Sequence, residues 1–243
     1  YGRKMNVVSR KSALVFFLCG LVAAGATITQ AGSLPEARRR CAIDIGSGET
    51  KLSAAEVVYR ESSTGIAKLL SKTVLIPFAR NLKNGLIPDI LIREAITKIN
   101  GLRSECDALG AREYAGVATS GFRMARNGQQ ALEKISRETK TPLRIITGEQ
   151  EAVLAFLAAA SALPVGNRNL VVWDIGGGSL QFCMSANGSN TVQREYVISS
   201  GHQGVELFRR QIAKRLNRGV AQSVNPLGQQ EMTRAIELAK QSS

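Results

Sequence analysis

The chain of 243 residues holds one histidine and one tryptophan, and aromatic residues make up only 5% of it. The single histidine, His202, lies in a loop-like stretch, where a lone imidazole is more often solvated than catalytic, so it is assigned no role. With few aromatics and no nucleic-acid motif, the excess of Lys and Arg over Asp and Glu (32 against 19) is weak support for nucleic-acid binding, and none is expected. The four cysteines show no CxxC spacing, which argues against a zinc site. Cys41 and Cys183 fall in or beside apolar runs and read as small buried residues. Cys41, Cys106 and Cys183 lie beyond the N-terminal segment, and this odd count leaves a free thiol in an oxidising compartment.

Long apolar runs are also scarce. One, Ala13–Ile28, follows Arg10 and Lys11 and precedes the small-residue site Thr29-Gln30-Ala31, which is the layout of a secretory signal peptide. Gly20 and Gly25 weaken the run, and it is marginal for crossing a bilayer. A cleaved signal over residues 1–31 is therefore expected, with Met5 as its start. The mature protein would be periplasmic or secreted, with an inner-membrane anchor as the alternative and no other membrane contact. Residues 32–40, including Arg38-Arg39-Arg40, read as a solvated basic leader. Losing Arg3, Lys4, Arg10 and Lys11 with the signal lowers the net charge from +13 to +9, which still steers a polyanion toward a cleft.

What the sequence does contain is one motif, twice. Leu170–Phe182 reads LVVWDIGGGSLQF: an apolar run with the content of a buried strand, then Asp174, then Gly176, Gly177, Gly178 and Ser179. Consecutive glycines let backbone N–H groups converge on a phosphate, and an aspartate at the strand end suits a hard cation such as Mg²⁺. Cys41–Lys51 reads CAIDIGSGETK, with Asp44, Gly46, Ser47 and Gly48 in the same order. Asp44 and Asp174 lie 130 positions apart, a spacing that indicates a duplicated domain. Two such turns facing each other would grip a phosphate chain and a metal from both sides.

Between and after the motifs, strands are expected at Leu52–Tyr59, Ala67–Phe78, Tyr114–Thr119, Leu143–Ile146 and Val192–Ile198. Helices are expected at Ile90–Leu109, Gln129–Thr139, Ala152–Leu163, Val205–Leu216 and Gln230–Lys240. Glu151 opens the strongly apolar helix before Pro164. Acids are favoured in any first helical turn, so position alone makes it a weak catalytic candidate.

Four blocks, AIDIGSGETK, VATSGFRMARN, IITGEQEA and VVWDIGGGSLQF, resemble in order and spacing the exopolyphosphatase / guanosine-pentaphosphate phosphohydrolase (Ppx/GppA phosphatase) family of the actin–Hsp70–sugar-kinase superfamily. The resemblance implies an α/β fold of the actin-like, ribonuclease H-like kind: a duplicated domain (residues 41–168 and 169–243) with a cleft between the halves and a short second half. It implies release of terminal phosphate from polyphosphate or guanosine pentaphosphate, and leaves a homodimer open. Glu151 matches the carboxylate that activates water, and Arg123, in preference to Arg126, matches a phosphate-holding arginine. Ser47, Gly48, Gly176, Gly177, Gly178 and Ser179 would bind phosphate, and Asp174 with Asp44 would hold Mg²⁺. Two positions depart from the pattern: Gln150 stands where the family carries the first carboxylate of a pair, and Gln181 where it carries a glutamate. These departures, with the short second segment, make a catalytically weak phosphoanion-binding or sensing protein the main rival, ahead of an ATP-dependent kinase or chaperone-like ATPase.

Overall fold

The computed structural model describes residues 37–60, 63–163, 170–185, 196–201, 204–215 and 229–241. The expected signal segment and the 168/169 boundary lie outside them, as do His202 and the first residues of the strand expected at Val192. Among the described residues, no helix is long and apolar enough to cross a membrane.

The first half is a five-stranded sheet in the order β3-β2-β1-β4-β5, built from β1 (Ala37–Ile45), β2 (Glu49–Arg60), β3 (Ser63–Leu75), β4 (Glu113–Ala118) and β5 (Leu143–Ile145). β1 pairs antiparallel with β2 and parallel with β4. As the middle strand, β1 is covered on both faces, so its apolar residues do not alternate with exposed polar ones. Cys41, Ile43 and Ile45 pack against helices α1 (Asp89–Ala108) and α3 (Gly128–Thr139), which follow β3 and a four-residue helix α2 (Ser120–Arg123) respectively. Leu91, Ile92, Ala95, Ile99 and Leu102 form the buried stripe of α1, as their helical spacing requires. Ala42 and Asp44 face the other way.

That second face is covered by α4 (Gly148–Ala162). Leu154 and Ala155 pack with Ala42, Ala55, Val57 and Val117 of the first sheet. Ala152 and Phe156 pack with Cys183 and Val172 of a second sheet. A helix with a sheet on each side must be apolar nearly all round, which explains the composition of this segment. The second sheet is antiparallel, β6 (Val171–Ile175), β7 (Leu180–Ser185) and β8 (Tyr196–Gly201), followed by α5 (Val205–Arg215) and α6 (Gln229–Gln241). Its inner face carries Asp174, Gln181 and Cys183, all buried. Its outer face carries Val171, Trp173, Ile175, Phe182 and Met184, all exposed, with Trp173 stacked on Phe182 at 5.0 Å. The run before Asp174 is thus half-buried on one face and exposed on the other, not buried throughout.

Two further readings are corrected. Arg38–Arg40 belong to β1 and not to a solvated leader. Arg40 is 1% exposed, ion-paired to Glu113 at 2.7 Å and set over the ring of Tyr59. Cys41 is not a lone apolar filler: it forms a disulfide with Cys106 of α1 (Cα–Cα 6.3 Å), and Cys183 remains as a buried free thiol. The bridge spans 65 residues, for which loop-closure entropy gives about 4 kcal/mol of stabilisation. Reducing agent should therefore lower the unfolding free energy by roughly 2–4 kcal/mol in a urea titration, and Cys106→Ser should remove that dependence. Superimposed curves with and without reductant would show that the bridge contributes nothing.

Candidate active site

The duplication is visible bond by bond. The Gly46 N–H donates to the Glu49 carbonyl at 2.9 Å, and the Gly176 N–H donates to the Ser179 carbonyl at 2.8 Å, so each hairpin turn closes in the same way. Asp44 pairs in register with Lys51, and Asp174 with Gln181, seven residues apart in each hairpin. Among the described residues, the N–H groups of Ser47, Gly48, Gly177 and Gly178 bond to no backbone carbonyl, leaving them available to an anion.

The turns meet across the cleft. Ser47 and Ser120 share a buried hydrogen bond at 2.6 Å between their Oγ atoms. Gly178 lies so close to them that a Cβ there would stand 2.6 Å from the Ser120 Oγ and 2.9 Å from the Ser47 Oγ. A cavity of about 310 Å³ opens beside this contact, lined by Asp44, Gly46–Gly48, Thr119, Ser120, Glu151, Gly176 and Gly177, with Lys51 and Arg80 also on its wall.

Glu151 enters that cavity from the first turn of α4. Thr147 caps the helix: its hydroxyl accepts from the Gln150 N–H at 3.2 Å, while the Gln150 side-chain oxygen accepts from the Thr147 N–H at 3.0 Å. Gln150 is thus an exposed capping residue, a task that glutamine performs as well as glutamate, and it does not face the cleft. Glu151 is 1% exposed. Its Oε2 accepts from Arg123 Nη2 at 2.9 Å and from Gln181 Nε2 at 3.3 Å. Arg123 also donates to the Ile146 carbonyl at 2.7 Å and reaches the Ser179 hydroxyl at 3.4 Å. Burial pushes the Glu151 carboxyl up to about 7, assisted by the negative charges of Asp174 and Asp44 and opposed by Arg123.

All the residues singled out in the sequence, namely Asp44, Ser47, Gly48, Arg123, Glu151, Asp174, Gly176–Gly178 and Ser179, gather around this cleft. Arg126 does not: it is exposed and donates to the Asn84 carbonyl. Thr119, Ser120 and Lys51 were not singled out. Shifting Lys51 by the 130-residue repeat lands on Gln181, so the internal alignment held the signal for it.

A divalent cation fits this donor set. Asp44 and Asp174 are buried on opposite sides of the cleft, at 5% and 3% exposure, and Gln181 Oε1 is buried with no hydrogen-bond partner among the described residues. Those residues contain no cluster of three or more His, Cys, Asp or Glu side chains able to share an ion. One or two carboxylates completed by water and phosphate oxygens is the usual setting for Mg²⁺.

A duplicated α/β unit with two facing glycine turns defines the actin-like, ribonuclease H-like class. The fold matches that of the Aquifex aeolicus Ppx/GppA protein with a TM-score of 0.62 at 22% identity, covering 85% of this chain and 62% of that one. A sequence profile described as the Ppx/GppA phosphatase family matches residues 57–201, more than half of the chain. The chain belongs to the Ppx/GppA phosphatase family. It is 27% identical over 150 residues to a bifunctional 3-dehydroquinate synthase/phosphatase of Fusobacterium nucleatum, covering 60% of this chain and 23% of that protein. It is 36% identical over 72 residues to exopolyphosphatase 1 of Mycobacterium tuberculosis, covering 30% of this chain and 21% of that protein. The chain thus spans less than two thirds of the length of each of these relatives.

The raised Glu151 carboxyl predicts a pH-dependent stability. The folded protein holds its proton more firmly than the unfolded chain does. The resulting stabilisation is full below about pH 4.5 and is lost as pH rises through about 7. Between pH 4 and pH 8, wild type should lose roughly 3 kcal/mol relative to Glu151→Gln, measured by denaturant unfolding. Parallel pH curves for the two proteins would place the carboxyl in its ordinary range.

Proposed function

We propose that the chain hydrolyses phosphoanhydride bonds, releasing the terminal phosphate of inorganic polyphosphate or guanosine pentaphosphate. The observation that carries this reading is Glu151: a buried carboxylate, titrating near neutrality, placed between two turns with available backbone N–H groups. In its ionised form Glu151 takes a proton from water, and the water oxygen attacks the terminal phosphorus. The bond from phosphorus to the bridging oxygen breaks, and the shortened chain leaves with the electron pair. N–H groups of Ser47, Gly48, Gly177 and Gly178 bind the phosphate oxygens. Arg123 orients Glu151 and offers its cationic fork to the same oxygens. Asp44, Asp174 and the Gln181 oxygen would hold Mg²⁺, which when bound supplies charge neutralisation for the phosphates.

Gln181 favours a second reading. Its amide adds a hydrogen bond to Glu151 where the resembled pattern has a carboxylate, so one negative charge is missing from the cation side of the cleft. The second reading is a phosphoanion-binding protein with weak turnover. The Cys41–Cys106 disulfide supports an oxidising compartment, in keeping with export by a cleaved signal or on an inner-membrane anchor.

Phosphate release from polyphosphate and from guanosine pentaphosphate, with and without Mg²⁺, tests the hydrolase reading. Glu151→Gln should lower release roughly 100-fold or more while substrate still binds. Below about pH 7 the wild-type rate should rise with pH and then level off. Equal rates in mutant and wild type would remove Glu151 from the chemistry, and tight polyphosphate binding with no release by wild type would establish the second reading. Gln181→Glu should raise Mg²⁺ affinity and turnover in a competent hydrolase, because a carboxylate is the better ligand for a hard cation. In a binding protein, the same change should weaken polyphosphate affinity with no gain in release.

A further inference from the structure

Gly204 stands immediately before α5 and is buried. Its φ lies outside the left-handed region, so its backbone does not call for glycine. Space does. A Cβ on Gly204 would stand 2.4 Å from the nitrogens of Gly178 and Ser179 and 2.5 Å from the Gly177 carbonyl carbon. These are backbone atoms, which cannot swing aside as a side-chain tip would. On its other flank the turn has no slack either, because Gly178 is pressed against Ser47 and Ser120. The start of α5 is bonded to the same turn, with the Val205 N–H donating to the Gly176 carbonyl at 2.8 Å. Five residues further on, Arg210 donates to the Ala79 carbonyl, and the Ala79 N–H donates to the Ser47 carbonyl of the first turn at 2.9 Å. The one helix is therefore bonded to the second turn and linked through Ala79 to the first.

We propose that Gly204 is a positioning residue: by lacking a side chain it lets α5 seat directly on the 176–179 turn, and so sets that turn's place opposite Ser47 and Gly48. The consequence for ligand rests on the reading above that this turn binds phosphate. Two N–H groups that converge on one oxygen lose the second bond when their turn moves by a fraction of an ångström, so the effect should fall on affinity.

The test uses the full chain with inorganic polyphosphate as probe, comparing wild type, Gly204→Ala, Val205→Pro and Gly101→Ala. Val205→Pro removes the bond to Gly176 without adding an atom at 204. Proline is accommodated at a first helical position, and Val205 is exposed, so this variant decides the matter if Gly204→Ala does not fold. Gly101→Ala is the control, since a Cβ there meets open space. Backbone amide resonances of Gly176–Ser179 should shift in the first two variants and not in the control. Polyphosphate Kd should rise about tenfold or more in Gly204→Ala and about threefold in Val205→Pro, as expected from losing part of a charge-assisted hydrogen-bond set. Movement of the turn amides without polyphosphate binding by any form, wild type included, would support the positioning role and refute the phosphate reading. Turn amides that stay at wild-type positions in the folded variants, whatever the affinity, would overturn the proposal.

Discussion

A carboxylate at 1% exposure is costly unless something answers its charge, and Glu151 is answered from two sides at once. Arg123 comes from the first half of the chain and Gln181 from the second, and both reach the same oxygen. Arg123 is held within the first half by the Ile146 carbonyl, whereas Gln181 reaches Glu151 only because the second sheet packs against α4. The site is therefore completed by the same packing that holds the halves together. Burial wins over ion pairing in setting the carboxyl near 7, where a base is about half ionised at neutral pH and still able to take a proton.

The two hairpin turns add a second constraint. Both close with the same backbone bond and carry an aspartate at the same register position, so the cleft is approximately symmetric in its backbone. The side chains break that symmetry. Opposite Asp44 stands Lys51, and opposite Asp174 stands Gln181, so the first half brings a cation to the cavity wall where the second brings an amide. On the proposed hydrolase reading, a duplicated frame with divergent partners binds a symmetric anion while placing water activation at one end, that of α4.

Much of this was legible in the chain. The repeat of Asp-Ile-Gly at a spacing of 130 announced the two turns, because a turn that presents backbone N–H groups must be rich in glycine wherever it occurs. The boundaries of α1 and α3 followed from apolar spacing to within a residue, whereas α4 begins at Gly148, four residues before the helix expected at Ala152, because Thr147 caps it. Arg38–Arg40 misled, because a run of three arginines has the composition of a solvated leader. The partners Glu113 and Tyr59, distant in sequence, help to make a buried Arg40 tolerable. Gln150 misled in the opposite sense: it departs from the resembled pattern, yet it only caps a helix.

The sequence by itself determined the local events: which stretches form strands and helices, where the glycine turns fall, and which side chains have the chemistry for phosphate. It could not determine which of two adjacent side chains on a helix faces inward, which cysteines are joined, or which residue backs a turn. Those are properties of approach between segments far apart in the chain. The Cys41–Cys106 bridge, the Ser47–Ser120 contact and the seat of Gly204 on the 176–179 turn exist only once the sheets are packed, and the tertiary structure decided them because close packing leaves no room for an alternative.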